Sequence, residues 1–154
     1  MKLWNTKTET YLEAVIEPIE SEDIGRVLED ERFGFDWRKE LQYEIYKISR
    51  EDDDQILGLI ALRDVSKELR LEIQLIEISK ENRGREKIID HIAGCLIAFA
   101  CQMAFDNGYE GFVSLIPKTN IIKLYVEKYG FQPVGNQLFT ELENSQNLIK
   151  KYLQ

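Results

Sequence analysis

His91, Cys95 and Cys101 are the only histidine and cysteines among the 154 residues. One imidazole does not supply a histidine-based metal centre, and a Ser-His-Asp triad built on it is disfavoured. The cysteines lie six apart on a stretch that reads as helix, so they point in different directions and cannot pair there. Their surroundings are apolar, which predicts inert core thiols rather than nucleophiles. The spacing with most chemical content is Lys80, Arg83, Arg85 and Lys87, four cations that lead into an apolar helical run. A helix start offers unpaired amide N–H groups and a positive dipole end, and preceding cations add attraction for phosphate. Glu81, Glu86 and Asp90 are interspersed, so an ordinary solvated loop is the competing reading.

The elements that must position these residues follow from periodicity. Tyr11–Ile16 is β-prone and stops at Pro18, and Ser21 is a plausible N-cap for a short helix through Glu31. Leu41–Ser49, Gln55–Leu62 and Leu69–Ile78 read as strands of an antiparallel meander. The acidic run Glu51–Asp54 between two of them reads as a hairpin tip rather than a metal site. Ile89–Phe105 is apolar on nearly every side and predicts a buried helix, ended by Asn107-Gly108. Gly111–Ile116 is a strand, Thr119–Lys128 a helix closed by Gly130, Phe131–Val134 and Leu138–Leu142 two last strands, and Asn144–Leu153 a capping helix. The middle strand–helix–strand unit should be a parallel crossover.

Within Leu69–Ile78 the alternation slips. Leu69, Leu71, Ile73 and Leu75 occupy one face and Arg70, Glu72 and Gln74 the other, yet Ile76, Glu77 and Ile78 follow in the opposite phase. A β-bulge between Leu75 and Ile76 produces this pattern, and it opens backbone that a ligand can hydrogen-bond. A strand end buried on both faces produces it too.

The formal net charge is −8. A nucleic-acid binder usually presents a basic face, so that class is disfavoured, whereas an acidic surface suits cationic substrates such as amines. The longest apolar run, Ile92 to Phe105, has 14 residues, short of the ~20 needed to cross a membrane. No signal peptide is visible after Met1. Free thiols and the lack of a leader or span predict a cytoplasmic protein. Residues 1–154 read as one domain.

Taken together, Leu69–Ile78, Lys87–Phe105, Gly111–Ile116 and the run Tyr125-Val126-Glu127-Lys128-Tyr129-Gly130-Phe131 resemble the core of the GNAT N-acetyltransferases. The resemblance covers roughly residues 55–140. It implies an α/β fold with a mixed central sheet of about six to seven strands, a bulged fourth strand and flanking helices. It also implies acetyl-CoA as co-substrate and direct acetyl transfer to an amine of a small molecule or protein, with a homodimer permitted. The backbone at Ile76 and Ile78 would bind the pantetheine and the acyl oxygen. The family loop Gln/Arg-x-x-Gly-x-Gly/Ala, which cradles pyrophosphate, would fall on Ile88–Ala93. Lys87, Asp90, His91, Ile92, Ala93 and Gly94 are therefore the expected cofactor contacts, and Lys118 stands where an asparagine often meets the cofactor. Ile88 replaces Gln or Arg, and His91 replaces a glycine that would tolerate a positive φ.

The resemblance places Tyr125 as the donor that protonates the departing thiolate, suitable for a phenol of pKa near about 10. Glu72, Gln74 and Glu77 share a face if the bulge is real. Glu77, nearest the opening, is the candidate base, acting directly or through water. His91 is the alternative base, with a place beside phosphate or in partial burial as the competing reading. Phe33, Phe35 and Trp37 either line an acceptor pocket or pack in the core. Two other functions are consistent with the loop departures and the acidic surface: a non-catalytic GNAT-like binding or regulatory module, and a domain inside a larger complex.

Overall fold

The computed structural model describes residues 1–154, the side chain of Thr119 excepted. Nine strands and four α-helices follow in the order β1 (Lys2–Asn5), β2 (Thr10–Pro18), α1 (Ser21–Glu29), β3 (Glu44–Arg50), β4 (Ile56–Val65), β5 (Arg70–Ile78), β6 (Ile89–Asp90), α2 (Ile92–Asp106), β7 (Val113–Leu115), α3 (Ile122–Tyr129), β8 (Gln132–Val134), β9 (Gln137–Thr140) and α4 (Leu142–Leu153). The strands form one sheet in the order β6-β1-β2-β3-β4-β5-β7-β9-β8. Every pairing is antiparallel except β5 with β7. That parallel pair is joined through α2, as the strand–helix–strand pattern predicts.

Two strands exceed the expected six to seven. β1 and β6 pair through Trp4↔Asp90 and Asn5↔Ile89, so Ile89 and Asp90 are strand, and the long helix begins at Ile92 instead of Ile89. The Thr6 hydroxyl and amide reinforce this by donating to the Lys87 and Ile88 carbonyls. A two-residue strand has no periodicity to read, and its apolar Ile89 continues the helical pattern without a break.

The sheet divides two apolar layers. On one face α2 buries Ile92, Cys95, Leu96, Ile97 and Cys101 against β-residues Ile48, Ile60, Leu62, Leu71 and Ile73. The other side of α2 is covered by Leu148, Ile149 and Tyr152 of α4, which is why α2 carries no polar stripe. On the opposite face, Ile24 and Val27 of α1 and the loop residues Phe33 and Trp37 cover Ile45, Ile56, Leu59 and Ala61. Trp37 and Phe33 are thus core, as the packing alternative expected, while Phe35 stays exposed. Both cysteines are free, and burial pushes each thiol up to about 12, which leaves them unreactive. No helix among the described residues is long and apolar enough to cross a membrane.

Candidate functional site

β5 is the element around which the site is built. Its register against β4 runs Ala61↔Leu75 and then Leu62↔Ile73, which leaves Gln74 as the extra residue. The bulge is therefore present but lies one step earlier than the expected Leu75-Ile76 position. Before it, Leu71 and Ile73 face α2; after it, Ile76 and Ile78 do, while Leu75 faces the other layer. Sequence alternation dates the slip late because Leu75, apolar on either face, hides the crossover.

The bulge coincides with the end of a pairing. β7 meets β5 only at Leu71↔Val113, Glu72↔Ser114 and Ile73↔Leu115, and β5 runs on to Ile78 with that edge open. The Ser79 N–H donates to the Leu57 carbonyl of β4 at 3.0 Å. N–H groups two residues apart share a side, so those of Ile76 and Ile78 point into the gap left by β7. The Ile78 carbonyl points there as well and accepts from Arg83 Nε at 2.6 Å.

The strand leads to a second set of open amides. His91 adopts φ 79° at the entry to α2, a conformation that a glycine takes without cost and an L side chain does not. The first intrahelical bond runs from the Cys95 N–H to the His91 carbonyl, and no side chain caps the helix. The amides of Ile92, Ala93 and Gly94 thus have no helical acceptor. A cavity of about 210 Å³ lies against Ile92 and Ala93, lined also by Ile78, Arg83, His91, Leu124, Lys128 and Tyr129. Two roomier depressions, one at Gly130–Asn147 and one at Pro18–Tyr46, are lined by none of the expected site residues.

Charge in this cavity is mixed. Asp90 accepts the His91 N–H at 2.7 Å and sits 3.5 Å from Lys87 Nζ. Burial alone would raise its carboxyl, but the His91 hydrogen bond and the Lys87 and Lys128 charges outweigh that and hold it below its ordinary value. Asp90 thus holds a negative charge beside the unpaired amides at the start of α2. Gly94 has a packing reason of its own, because a Cβ there would meet the Tyr152 ring at 2.3 Å.

The candidate chemistry groups are placed unequally. Tyr125 is 5% exposed, against the rings of Tyr129 and Phe131, and burial pushes its hydroxyl up to about 12. Tyr129 lines the cavity; Tyr125 does not. Glu77 is 3% exposed and accepts from Gly34 N–H (2.6 Å), Phe35 N–H (3.3 Å), Trp37 Nε1–H (2.8 Å) and an Arg83 guanidinium N–H (3.3 Å). A carboxylate with four donors has its lone pairs committed, so Glu77 is not a free base, contrary to the expectation. Glu72 on the same face is likewise tied, to Arg70 at 2.6 Å and to Gln74. Lys118 lies away from the phosphate end, with its ammonium 4.6 Å above the Phe35 ring. Arg83, Lys128 and Tyr129 carry no pattern that marks them as cavity residues in the sequence; Arg83 alone had a hint, as one of the four cations.

No family model and no curated protein sequence matches the chain. Solved structures do. A GNAT family acetyltransferase from Elizabethkingia anophelis with acetyl-CoA bound superposes at a TM-score of 0.59 and 18% identity, over 84% of this chain and 98% of that one. The chain has the GNAT acetyltransferase fold. The spermidine/spermine N-acetyltransferase of Vibrio cholerae gives 0.61 and 15% over 90% of this chain and 96% of that one. The N-acetylglutamate synthase of Neisseria gonorrhoeae, complexed with coenzyme A and L-arginine, gives 0.64 and 15% over 86% of this chain, which spans only 34% of the synthase. At these identities the GNAT likeness is one of fold, and β5, with its bulge at Gln74, is the bulged strand expected of it.

Proposed function

We propose that the chain is an acetyl-CoA-dependent N-acetyltransferase, one acyltransferase domain over residues 1–154. The observation that carries this reading is the open edge of β5: the Ile76 and Ile78 amides face a gap that continues into the unpaired amides of Ile92, Ala93 and Gly94. A row of peptide-like amides followed by an anion-seeking helix start suits an extended amide chain that ends in phosphates. Of the three structures of this fold named above, two hold coenzyme A or acetyl-CoA and the third is a spermidine/spermine N-acetyltransferase, which favours the same ligand.

Acetyl-CoA supplies an activated thioester. Ile76 and Ile78 N–H groups hold the pantetheine and polarise the acyl oxygen. The Ile92–Gly94 amides, Lys87 and Arg83 hold the phosphates, with Asp90 opposing. The buried Tyr125 hydroxyl keeps its proton at neutral pH and gives it to the departing sulfur. The incoming amine reaches the acyl carbon directly, and water takes its proton, since the Glu77 carboxylate already accepts from four donors and Glu72 is paired with Arg70 and Gln74. The acceptor is an amine of a small molecule or protein; the free thiols favour a cytoplasmic location, and a homodimer is compatible with the exposed sheet edge.

Titration calorimetry with acetyl-CoA tests the reading. Saturable binding is expected; heat indistinguishable from dilution at millimolar ligand removes it. Asp90 and the His91 backbone specifically favour a second reading, a GNAT-like binding or regulatory module that no longer uses acetyl-CoA efficiently. Binding without acetyl transfer to any primary amine would select it.

A further inference from the structure

The four donors on Glu77 belong to two different parts of the chain. Gly34, Phe35 and Trp37 lie in the loop between α1 and β3, which covers the sheet face opposite α2. Arg83 lies in the loop that leads to α2 and lines the phosphate cavity. Glu77 itself sits on β5 between Ile76 and Ile78, the residues whose amides face the gap. One buried carboxylate therefore joins the cofactor strand, the phosphate loop and the loop on the far side of the gap. Phe35 of that loop takes Lys118, three residues past the end of β7 at Leu115, onto its ring at 4.6 Å.

Arg83 is the exposed partner in this junction. Its side chain is 46% exposed, against 2% for that of Glu77. Its guanidinium divides itself among the Ile78 carbonyl (2.6 Å), the Arg32 carbonyl (3.0 Å) and Glu77 (3.3 Å). A phosphate in the cavity offers a fourth acceptor with more charge, and guanidinium groups pair with phosphate strongly. Drawing Arg83 toward it weakens the longest of the three bonds, the one to Glu77. The carboxylate then relies on the Gly34, Phe35 and Trp37 donors, and the far loop is held more tightly.

We propose that Glu77 is a positioning residue which, through Arg83, sets the Gly34–Trp37 loop according to whether a phosphate occupies the cavity at the start of α2. The inference rests on the acetyl-CoA reading: the loop is then the acceptor-side wall, and acceptor binding is coupled to cofactor binding.

Trp37 reports on this directly, because its indole N–H donates to Glu77 at 2.8 Å. Trp4→Phe leaves Trp37 as the only tryptophan. In that background, coenzyme A is titrated while Trp37 emission and binding heat are recorded in parallel. The emission maximum is expected to shift with the same midpoint as the heat. Glu77→Gln is expected still to bind coenzyme A and to lose the shift. Arg83→Lys keeps the charge but lacks the planar fork that reaches the Ile78 carbonyl from Nε and the Arg32 and Glu77 oxygens from a second nitrogen, and it loses the shift with weakened binding. Circular dichroism checks each fold, and the half-exposed Arg83 variant carries the test alone should Glu77→Gln not fold. Binding without any movement of Trp37 emission, or a shift that survives both substitutions, overturns the relay and leaves the cofactor reading standing. A parent protein that does not bind coenzyme A overturns both.

Discussion

Asp90 holds a negative charge where the helix start most favours an anionic ligand, so the residue scale is where affinity is decided. Asp90→Asn keeps the acceptor for the His91 N–H and removes the charge. One charge pair at ~4 Å in a wet site is worth about 1 kcal/mol, so the variant should bind acetyl-CoA about fivefold more tightly by calorimetry, with the gain shrinking as salt rises. Tyr125→Phe removes the proposed proton donor and should slow turnover roughly a hundredfold with little change in affinity; Tyr129→Phe, at the cavity wall, should change affinity instead. Exchange of those two phenotypes would move the donor role to Tyr129. Because burial raises Tyr125 up to about 12, its ionisation should impose no falling limb on the pH–rate profile below that value. Sequence reasoning placed Tyr125 and the cations through a resemblance and through local spacing. It misassigned Glu77, because three of the four donors that occupy its carboxylate come from residues 34–37, forty or more positions away. Nothing in a strand's own pattern reveals such partners.

At the scale of elements, the junction of β5 with α2 depends on close packing as much as on open backbone. Gly94 lies where a Cβ would meet the Tyr152 ring at 2.3 Å. Gly94→Ala should therefore cost about 1–3 kcal/mol of stability, read as a lower urea midpoint, and trimming the ring in Gly94→Ala/Tyr152→Leu should recover part of it. Full stability in Gly94→Ala would show that α4 can withdraw from α2 freely. The alternation of Leu69–Ile78 made a bulge legible, and the unbroken apolar run made α2 legible. The helix start was not, because β6 exists only through its partner β1, and the Thr6 contacts that fix it cross eighty positions of sequence. The left-handed His91 turn between them has no signature either, since the residue there is not glycine.

Across the whole molecule, the fold class was legible because the order of elements is local information, while the nine-strand width was not. Three carboxylates couple this architecture to pH. Burial would raise Asp23, Glu72 and Asp90, but Lys47 and the Glu20 backbone, Arg70 and Gln74, and the His91 backbone and Lys87 respectively outweigh it and hold each below its ordinary value. A carboxyl with a depressed folded pKa contributes stability in full above its unfolded value, 3.8 for Asp and 4.5 for Glu, and loses it as pH falls through the folded value. The urea midpoint should thus hold steady near neutrality and fall between about pH 5 and pH 3, and a midpoint that rises on acidification would contradict the assignment. The central claim is that the open β5 edge and the α2 start together bind the cofactor, and amide chemical-shift mapping during an acetyl-CoA titration tests it most directly. The account predicts that the largest shifts fall on the amides of Ile76, Ile78, Ile92, Ala93 and Gly94; shifts that cluster elsewhere, or none at saturating ligand, would contradict it.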